Sequence, residues 1–315
     1  MVEFLIAFGL DLLIGDPLYS WHPVRIIGGW IQKTETWLRA HVPAAKLAGI
    51  LQAIFIPAVV YGLVWFLTGL AGQIHPMMKS ILVIYFFYSA LSVKDLSTEA
   101  HRVHLALRNR HLEVARENLS RIVGRDTENL SETEVVRGAV ETVAESFVDG
   151  VLSPLFYAAI GGAPLAMMYK AINTNDSMAG LRTSQYQEYG KAAAKLDEIA
   201  NWIPARISWF LIGLAAYFVN GKAQEAWRVA LQNLGGPNVT NGVIPEAAFA
   251  GALGVELGGI NYYGGHEFET RKLGLAIRAL EPSDIRRAVD LMKASSWTAL
   301  FGAILLHSLV SLIFH

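Results

Sequence analysis

The chain has 315 residues, of which 53% are hydrophobic and only 17% are charged. Soluble domains average about 25% charged residues, so this composition indicates a membrane protein. The formal net charge of −1 gives no argument for nucleic-acid binding, and the absence of cysteine excludes a disulfide framework and a thiolate metal site.

Apolar segments long enough to cross a bilayer, which takes about 20 mostly apolar residues, occur toward both ends of the chain. Two meet this requirement and a third candidate is shorter: 47–70, 294–314 and 77–93. Three further apolar segments are interrupted. Two acids interrupt residues 1–15, Gly and Pro interrupt residues 150–169, and Pro204 and Arg206 interrupt residues 200–219. Interrupted segments are tolerated in a membrane where they pack against protein or line a polar cavity. The first lacks a basic leading region and does not resemble a cleaved signal peptide.

The segments between the apolar ones are predicted to be amphipathic helices. Residues 92–124 have helical periodicity, and residues 130–150 begin with a capping box formed by Ser131 and Glu134. No internal repeat, low-complexity tract or β-hairpin signal is evident. The predicted fold is an all-α, polytopic integral membrane protein with about four to six membrane segments, some broken or re-entrant.

Loop charge predicts the orientation, because loops rich in Lys and Arg stay cytoplasmic. The 71–79 link has only one basic residue and is the best candidate for the outer face, which places 16–46 inside and the carboxyl terminus outside. The 170–198 loop is basic too, and it cannot lie inside if both flanking segments cross once. Those segments are therefore expected to be re-entrant or buried beside a cytoplasmic chamber. The expected arrangement is one domain in the cell (inner) membrane with its active face cytoplasmic, spanning 1–315 with cytoplasmic helical portions at about 94–146 and 221–293.

Charged residues recur every fourth position in the 130–150 segment and form a stripe along the predicted helix: Arg137, Glu141, Glu145 and Asp149. One interpretation is a solvated face with helix-stabilising ion pairs. The other is a Mg²⁺ site, because carboxylates supply hard oxygen ligands and Asp149 ends the stripe where the apolar segment begins.

The 11–30 segment places Asp16, His22 and Arg25 around a turn rich in Gly and Pro. It is either a polar turn that closes a short helix or a ligand site. In the second case Arg25 holds a phosphate or carboxylate through its bidentate fork, and His22 is a proton-transfer group or donor. A lone His beside a Trp is more often structural, so Arg25 is the stronger candidate.

A polar patch follows the interrupted 150–169 segment, and its members are Lys170, Asn173, Thr174, Asn175, Asp176 and Ser177. A helix cap would explain one or two of them, whereas a position beside a cytoplasmic chamber would make the patch the wall of a site. Farther along, Asp197 and Asn201 precede Arg206, whose charge within an apolar run needs a carboxylate or an anionic ligand.

The 235–265 segment is dense in Gly, Ala and Asn. Close helix packing is favoured for 247–258, where Gly254 and Gly258 form a small-xxx-small pair. A ligand-facing loop is at least as well supported for Asn238, Asn241, Glu246, Asn261 and Tyr262. No P-loop or dinucleotide-binding fingerprint is present.

Six motifs in this order resemble the adenosylcobinamide-phosphate synthase family, the integral-membrane amide synthases of cobalamin assembly. They are DLLIGDP…HPVRIIG (11–28), RIVGRDTENL (121–130), AVETVAESFVDGVLSPLFY (139–157), YKAINTNDSMAG (169–180), AAAKLDEIANWIPARIS (192–208) and PEAAFAGALGVELGGINYYGG (245–265). The chain departs from the family at 235–248, where the family usually has a His-Pro-Ser-Pro-Asn-Ala-Gly run before Pro-Glu-Ala-Ala. Roles of the missing His and Ser therefore do not carry over.

The resemblance implies ATP-dependent joining of a corrinoid carboxylate, adenosylcobyric acid, to the amine of aminopropanol phosphate. Transfer of the ATP γ-phosphoryl group would give an acyl phosphate, from which the amine displaces phosphate; such transfer depends mainly on positioning and charge neutralisation. Mg²⁺ and the co-substrate ATP are implied, together with a lipid bilayer and association with other membrane enzymes of cobalamin assembly. Nucleic acid is not an expected partner.

Site residues are assigned on this basis. The catalytic candidates are Asp149, Lys170, Asp176 and Arg206, and the metal candidates are Glu141, Glu145, Asp149 and Asp176. The substrate-binding candidates are Asp16, His22, Arg25, Arg125, Asn173, Thr174, Ser177, Asp197, Asn201, Glu246, Asn261 and Tyr262. The basic residues among them would clamp anions, and the asparagines would hydrogen-bond corrin amide groups or the acyl intermediate.

Two competing interpretations have different signatures. A transporter or channel would use broken helices with polar residues at membrane depth, and it predicts substrate flux without ATP turnover and internal repeats, of which the sequence shows none. A non-catalytic relative acting in membrane signalling would be expected to lack the acidic and basic motif positions, which are present here.

Overall fold

The computed structural model describes residues 1–16, 21–180, 186–235 and 239–314. Almost all regular structure in these residues is helical, so the predicted all-α polytopic membrane fold is confirmed. The first seven helices are α1 (Val2–Ile14), α2 (Pro23–His41), α3 (Ala45–Ile74), α4 (Pro76–Ala90), α5 (Val93–Arg108), α6 (Leu112–Ser120) and α7 (Glu132–Phe147). A π-helical turn (Val148–Leu152) leads into α8 (Ser153–Ala179), α9 (Lys191–Ala200), α10 (Trp202–Asn220), α11 (Ala223–Asn233) and α12 (Val243–Leu253). Strands β1 (Glu256–Tyr263) and β2 (His266–Gly274) precede the last helix, α13 (Ser283–Phe314).

The helices group into two compact units, each assembled from separate stretches of chain. Unit 1 comprises Met1–Ser92, Asp149–Asn201 and Leu300–His315, and unit 2 comprises Val93–Val148 and Trp202–Ala299. Unit 2 therefore contains the helical portions that loop charge predicts to be cytoplasmic. The sequence predicts a single polytopic domain and does not indicate this division into two units.

Five helical stretches of the described chain are long and apolar enough to cross a membrane: Ala45–Ile74, Pro76–Arg108, Glu132–Ala179, Trp202–Asn220 and Ser283–Ile313. Their number falls within the predicted four to six, and they contain the uninterrupted candidates 47–70 and 77–93 and all but the last residue of 294–314. Only a third of the apolar window of α3 is buried. Its remaining side chains form an apolar surface, as expected for a helix whose solvent is lipid.

The chain reverses direction within α8, at Gly161 and Gly162. Both have non-helical backbone angles, and the φ of 69° at Gly162 is one that favours glycine. The Tyr169 ring stacks on Tyr157 with centroids 5.2 Å apart, and its hydroxyl donates to the Asp149 carbonyl at 3.3 Å. In a straight helix, residues twelve and twenty positions apart would be separated by about 18 and 30 Å. This interrupted segment is therefore a helical hairpin, the geometry that a re-entrant segment requires.

Unit 2 is built around α7, whose apolar face is buried. Its side chains Val136, Val140, Val143 and Phe147 have no exposed surface, and the helix packs against α5, α6, α12 and β1. The predicted capping box at the start of α7 is present. Burial contributes on the order of 1.5–3 kcal/mol for each such side chain, against about 1 kcal/mol for a cap. Packing rather than the cap therefore fixes α7 in place.

The expectation that the chain has no β-hairpin is wrong. Strands β1 and β2 pair antiparallel around Gly264 and Gly265, whose φ values of 58° and 79° are both positive, as a type I′ turn requires. The Asp126 carboxylate accepts from the backbone N–H groups of these glycines at 3.1 and 2.7 Å. The signal was the Gly-Gly pair between two runs containing aromatic residues, and the surrounding Gly-rich sequence obscured it.

The small-xxx-small interpretation of Gly254 and Gly258 is also wrong. Helix α12 ends at Leu253, Gly254 follows it with a left-handed φ of 70°, and Gly258 lies in β1. Close packing in this region is made instead by Gly251, where an added Cβ would meet the backbone of Glu225 in α11. The preference for small residues was correct, but the pair does not form one helix face.

Candidate functional site

The predicted site residues are divided between the two units. Unit 1 holds Asp16, His22, Arg25, Asp149, Lys170, Asn173, Thr174, Asp176, Ser177, Asp197 and Asn201. Unit 2 holds Arg125, Glu141, Glu145, Arg206, Glu246, Asn261 and Tyr262. Each unit brings several of its members into direct contact.

In unit 2, a buried ion pair joins the 121–130 loop to α7. Arg125 Nη2 lies 2.7 Å from Glu141 Oε2, and these side chains are only 6% and 10% exposed. The other carboxylate oxygen of Glu141 accepts the backbone N–H of Gly258 at 2.8 Å. Gly138 makes the arrangement possible, because a Cβ there would collide with the Arg125 guanidinium. Glu141 thus has a bonding partner on each oxygen.

Two arginines converge on Asn261, which lies in β1 rather than in the expected loop. Its Oδ1 accepts from Arg137 Nη2 at 3.0 Å and from Arg125 Nη1. Arg137 also donates to two carbonyl oxygens of β1, including that of Ile260 at 2.5 Å. Arg137 and Glu141 are both buried, so the solvated-face interpretation is wrong for the first half of the stripe. These residues bind the hairpin to α7.

Glu246, at the start of α12, lies close to this network. Burial raises the pKa of its carboxyl well above the ordinary value of 4.5. The charges of Glu141 and Glu145 raise it further, while Arg125 and Arg137 oppose them. A raised pKa widens the pH range in which the carboxyl is protonated and can donate a hydrogen bond.

Arg206 in α10 has aromatic and carbonyl partners. Its guanidinium carbon lies 4.1 Å from the centre of the Trp202 ring, and it donates to the Trp202 carbonyl at 3.0 Å and to Asn241 Oδ1 at 3.4 Å. None of the carboxylates that the structure describes forms an ion pair with it. An anionic ligand for Arg206 stays a prediction. Tyr262 is partly exposed in β1, and its carbonyl accepts the backbone N–H of Asp126 at 2.8 Å.

In unit 1, the reversal of α8 brings Lys170 next to the residues that follow α4. Lys170 Nζ lies 3.4 Å from Ser92 Oγ, and the backbone N–H of Ser92 donates to the Gly150 carbonyl at 3.0 Å. Because the Tyr169 hydroxyl reaches the Asp149 carbonyl, Asp149 and Lys170 lie at the same end of the helical hairpin. Lys170 is only 8% exposed. A desolvated ammonium of this kind attracts an anion strongly.

A chain of hydrogen bonds runs from Asp197 to Tyr169 at this end of the hairpin. Asp197 accepts from Asn173 Nδ2 at 3.3 Å and from Asn201 Nδ2 at 2.9 Å. Asn201 Oδ1 accepts from Ser153 Oγ at 2.6 Å and from the Tyr169 hydroxyl at 2.9 Å. Burial raises the pKa of the Asp197 carboxyl above its ordinary value of 3.8, and the two asparagine bonds oppose that shift. Three predicted residues are therefore brought together and orient one another.

The remaining members of the polar patch bond within the protein. Thr174 Oγ1 and Ser177 Oγ donate to carbonyl oxygens one helical turn earlier, at 2.7 and 2.9 Å. Asn175 Oδ1 accepts from Gln52 Nε2 at 2.9 Å, and Gln52 Oε1 accepts from the Tyr189 hydroxyl at 2.6 Å. This part of the patch joins α8 to α3, so its substrate-binding assignments stay predictions.

The amino-terminal motif forms a polar turn. Asp16 Oδ1 lies 3.0 Å from Nε2 of His22, which is buried immediately before the first turn of α2. Arg25 lies in that first turn and is exposed. This contact favours a structural role for His22, and anion binding by the exposed Arg25 stays a prediction. The intervening residues 17–20 lie outside the described chain.

The described residues contain no group of three or more His, Asp and Glu placed to hold a metal ion. Glu141 and Glu145 belong to unit 2, whereas Asp149 and Asp176 belong to unit 1 and are half-buried. Mg²⁺ commonly takes one or two carboxylates together with substrate phosphates. Glu141 is poorly suited to such a role, because both of its carboxylate oxygens are engaged within the protein. The metal assignment stays a prediction.

Sequence reasoning missed Ser92, Asp126 and Gln52. Ser92 and Gln52 are lone polar residues at or near apolar helices, where an isolated hydrogen-bonding group is itself a weak signal. Asp126 lies within one of the six motifs. It holds a hairpin turn 138 residues later in the chain, and no sequence spacing indicates that contact.

Comparison with known proteins identifies the family. The family described as CobD/Cbib protein matches residues 4–292. The chain is 37% identical over 314 residues to the cobalamin biosynthesis protein CobD of Clostridium perfringens, covering 99% of this chain and 100% of that protein. It is 38% identical over 303 residues to CbiB of Salmonella typhi, covering 95% of each chain. It is 42% identical over 288 residues to CobD of Geobacter metallireducens, covering 91% of each.

No solved structure matches the chain. The similarity to these cobalamin biosynthesis proteins nevertheless extends over almost the whole sequence and includes the six motifs on which the resemblance rests. The protein therefore belongs to the CobD/CbiB family of cobalamin biosynthesis proteins.

Proposed function

We propose that this protein is an ATP-dependent amide synthase that joins adenosylcobyric acid to aminopropanol phosphate, giving adenosylcobinamide phosphate. Family membership supports the pathway, and the ordered motifs support the reaction. The observation that carries the proposal is in unit 1. The helical hairpin gathers Asp149, the desolvated Lys170 and the Asp197–Asn201 pair at one end.

The chemistry requires charge neutralisation around phosphoryl groups and a carboxylate. Lys170 would hold a phosphoryl oxygen, because its ammonium is largely removed from water and its electrostatic interactions are correspondingly strong. Asp149 and Asp176 would hold Mg²⁺ together with ATP phosphates, and that ion would supply further charge neutralisation. Asn173, held by Asp197, would position amide or carboxylate oxygens of the corrinoid, and the buried Asn201 would fix Asp197 in place.

Unit 2 has candidate binding groups of its own. Arg206 is oriented by Trp202 without a carboxylate partner among the described residues, so it is suited to an anionic group of a substrate. A neutral Glu246 would donate to a carbonyl oxygen, a group that corrin amide side chains supply. The basic loops of the sequence favour a cytoplasmic active face, where ATP is available.

A transporter is the second candidate, and the reversal of α8 is the observation that favours it. Broken or re-entrant helices with polar groups nearby are frequent in transporters. The two functions differ in what they consume. A synthase makes a covalent product with ATP turnover, whereas a transporter moves an unchanged corrinoid.

The test is to incubate detergent-purified protein with a corrinoid acid, aminopropanol phosphate and Mg-ATP, and to measure amide product and phosphate release. Lys170→Met should lower the rate about 100-fold or more, since removal of one electrostatic contact in a transition state has effects of that size. Lys195→Met is the matched control, because Lys195 is an exposed lysine of the same unit and should leave the rate nearly unchanged. Folded protein that yields neither product nor phosphate, but carries corrinoid across vesicles, would refute the synthase proposal.

A further inference from the structure

A cavity of about 420 Å³ lies in unit 1 beyond the closed tip of the α8 helical hairpin. The tip residues Gly161 and Gly162 form part of its wall, and α1, α3, α4 and His307 of α13 form the rest. Asp149 and Lys170 lie at the opposite, open end of the hairpin. The volume is typical of a small-molecule site, and the cavity is separate from the candidate active site.

The walls of the cavity are mostly apolar and continue onto the outer surface of the unit. Phe4 and Phe87 are buried behind it, whereas Trp65 lines it with 64% of its surface exposed. Trp65 belongs to α3, most of whose apolar window is exposed. For a multi-pass membrane protein, lipid is the solvent of such a face, so a cavity that opens beside Trp65 is accessible to an acyl chain.

Two opposite charges line the same cavity without pairing with each other: Glu3 in the first turn of α1 and Lys79 in the first turn of α4. One oxygen of the Glu3 carboxylate accepts from Ser80 Oγ at 3.1 Å, and the other lies 3.3 Å from the amino-terminal ammonium of Met1, which also lines the cavity. The stem of Lys79 packs over Gly72, which leaves its exposed ammonium at the rim. Both charges lie close to helix ends, the level at which lipid headgroups meet a spanning protein.

We propose that this cavity binds a phospholipid with a primary amine in its headgroup, of the phosphatidylethanolamine class. The lipid phosphate binds Lys79, the headgroup ammonium donates to Glu3, and an acyl chain lies against Trp65 and Phe87. The Glu3 carboxylate has lone pairs left for a further N–H donor beside Ser80 and the amino terminus. A choline headgroup has no N–H group to donate, and a glycerol headgroup lacks the positive charge. The pair of opposite charges therefore selects an amine-bearing zwitterionic lipid. The proposal is independent of the reaction assigned above.

The first test fills the cavity. At Gly69, which lines it, an added Cβ meets nothing within 4 Å, so Gly69→Phe can project into the space without a backbone clash. Gly62 is two helical turns earlier on the same face of α3, is equally open and lies outside the cavity, so Gly62→Phe is the matched control. Native mass spectrometry of protein taken from phosphatidylethanolamine nanodiscs should show one retained lipid in wild type and control, and its loss in Gly69→Phe.

The second test addresses headgroup choice, with wild-type protein exchanged among nanodiscs of phosphatidylethanolamine, phosphatidylcholine and phosphatidylglycerol. Lys79→Gln and Glu3→Gln should each weaken retention of the ethanolamine lipid about tenfold, because each removes a charged hydrogen-bond partner. Lys33→Gln, at an exposed lysine of α2, should change nothing. Equal retention of the three lipids by wild type, or undiminished retention in a folded Gly69→Phe variant, would overturn the proposal.

Discussion

Replacing Arg125 with Met should lower the free energy of unfolding, because it breaks the ion pair that joins the 121–130 loop to α7. The substitution removes the 2.7 Å bond to Glu141 and the bond to Asn261 while keeping an apolar stem. The Glu141 carboxylate, whose side chain is only 10% exposed, then keeps the hydrogen bond from the Gly258 backbone N–H and the more distant Arg137 Nε at 3.9 Å. Breaking a buried pair typically costs about 3–5 kcal/mol, and the nearby second arginine places this case at about 3 kcal/mol.

The assay is equilibrium unfolding in detergent micelles, followed by circular dichroism. Arg121→Met is the control in the same loop, because Arg121 and its partner Glu117 are 52% and 68% exposed and such pairs contribute less than about 1 kcal/mol. The double variant Arg125→Met with Glu141→Met should recover much of the loss, since no uncompensated charge stays buried. A cost for Arg125→Met no larger than that of the control, or a double variant whose losses simply add, would refute the reasoning.

Three further predictions concern packing, titration and the hairpin. Gly49→Ala should destabilise the protein by about 1–3 kcal/mol in thermal unfolding, because its Cβ would collide with the Tyr189 carbonyl oxygen. Glu246→Gln should raise the melting temperature more at high than at low pH. The folded-state pKa of Glu246 is raised, so wild-type stability falls as the pH rises from 4.5 through that raised value, and the variant lacks this loss. Asp126→Ala should accelerate hydrogen exchange in residues 256–274 about tenfold, because two bonds to the turn are lost.

Each of these has an outcome that would contradict it. Gly62→Ala, at an open position of the same helix, should be neutral or slightly stabilising, and an equal loss there would show that steric collision is not the cause. A stability difference between Glu246→Gln and wild type that does not change with pH would mean that this carboxyl titrates normally. Asp126→Asn keeps one acceptor oxygen, so its hydrogen-exchange rate should lie between those of Asp126→Ala and wild type. An unchanged exchange rate in both variants would show that the turn does not depend on Asp126 for its stability.

The apolar pattern was enough to predict the long helices and the buried face of α7, because hydrophobic burial depends on spacing within one segment. The same holds for the Ser131–Glu134 cap, whose partners are three residues apart. The hairpin was not predicted, since its turn is held by Asp126 from far away in the chain. Asn173, Asp197 and Asn201 hydrogen-bond to one another in the structure, and no spacing in the sequence indicates the contact between Asn173 and Asp197.

The sequence by itself determined the membrane character, the helical content and the family, because composition, periodicity and ordered motifs are properties of the linear chain. Only the tertiary structure decided that Arg137 and Glu141 are buried rather than solvated, since their exposure depends on a β-strand more than a hundred residues later. It also decided that the Gly-Gly interruption at 161–162 reverses the chain. A glycine pair permits either a kink or a reversal, and the contacts of Tyr169 with Tyr157 and Asp149 select the reversal.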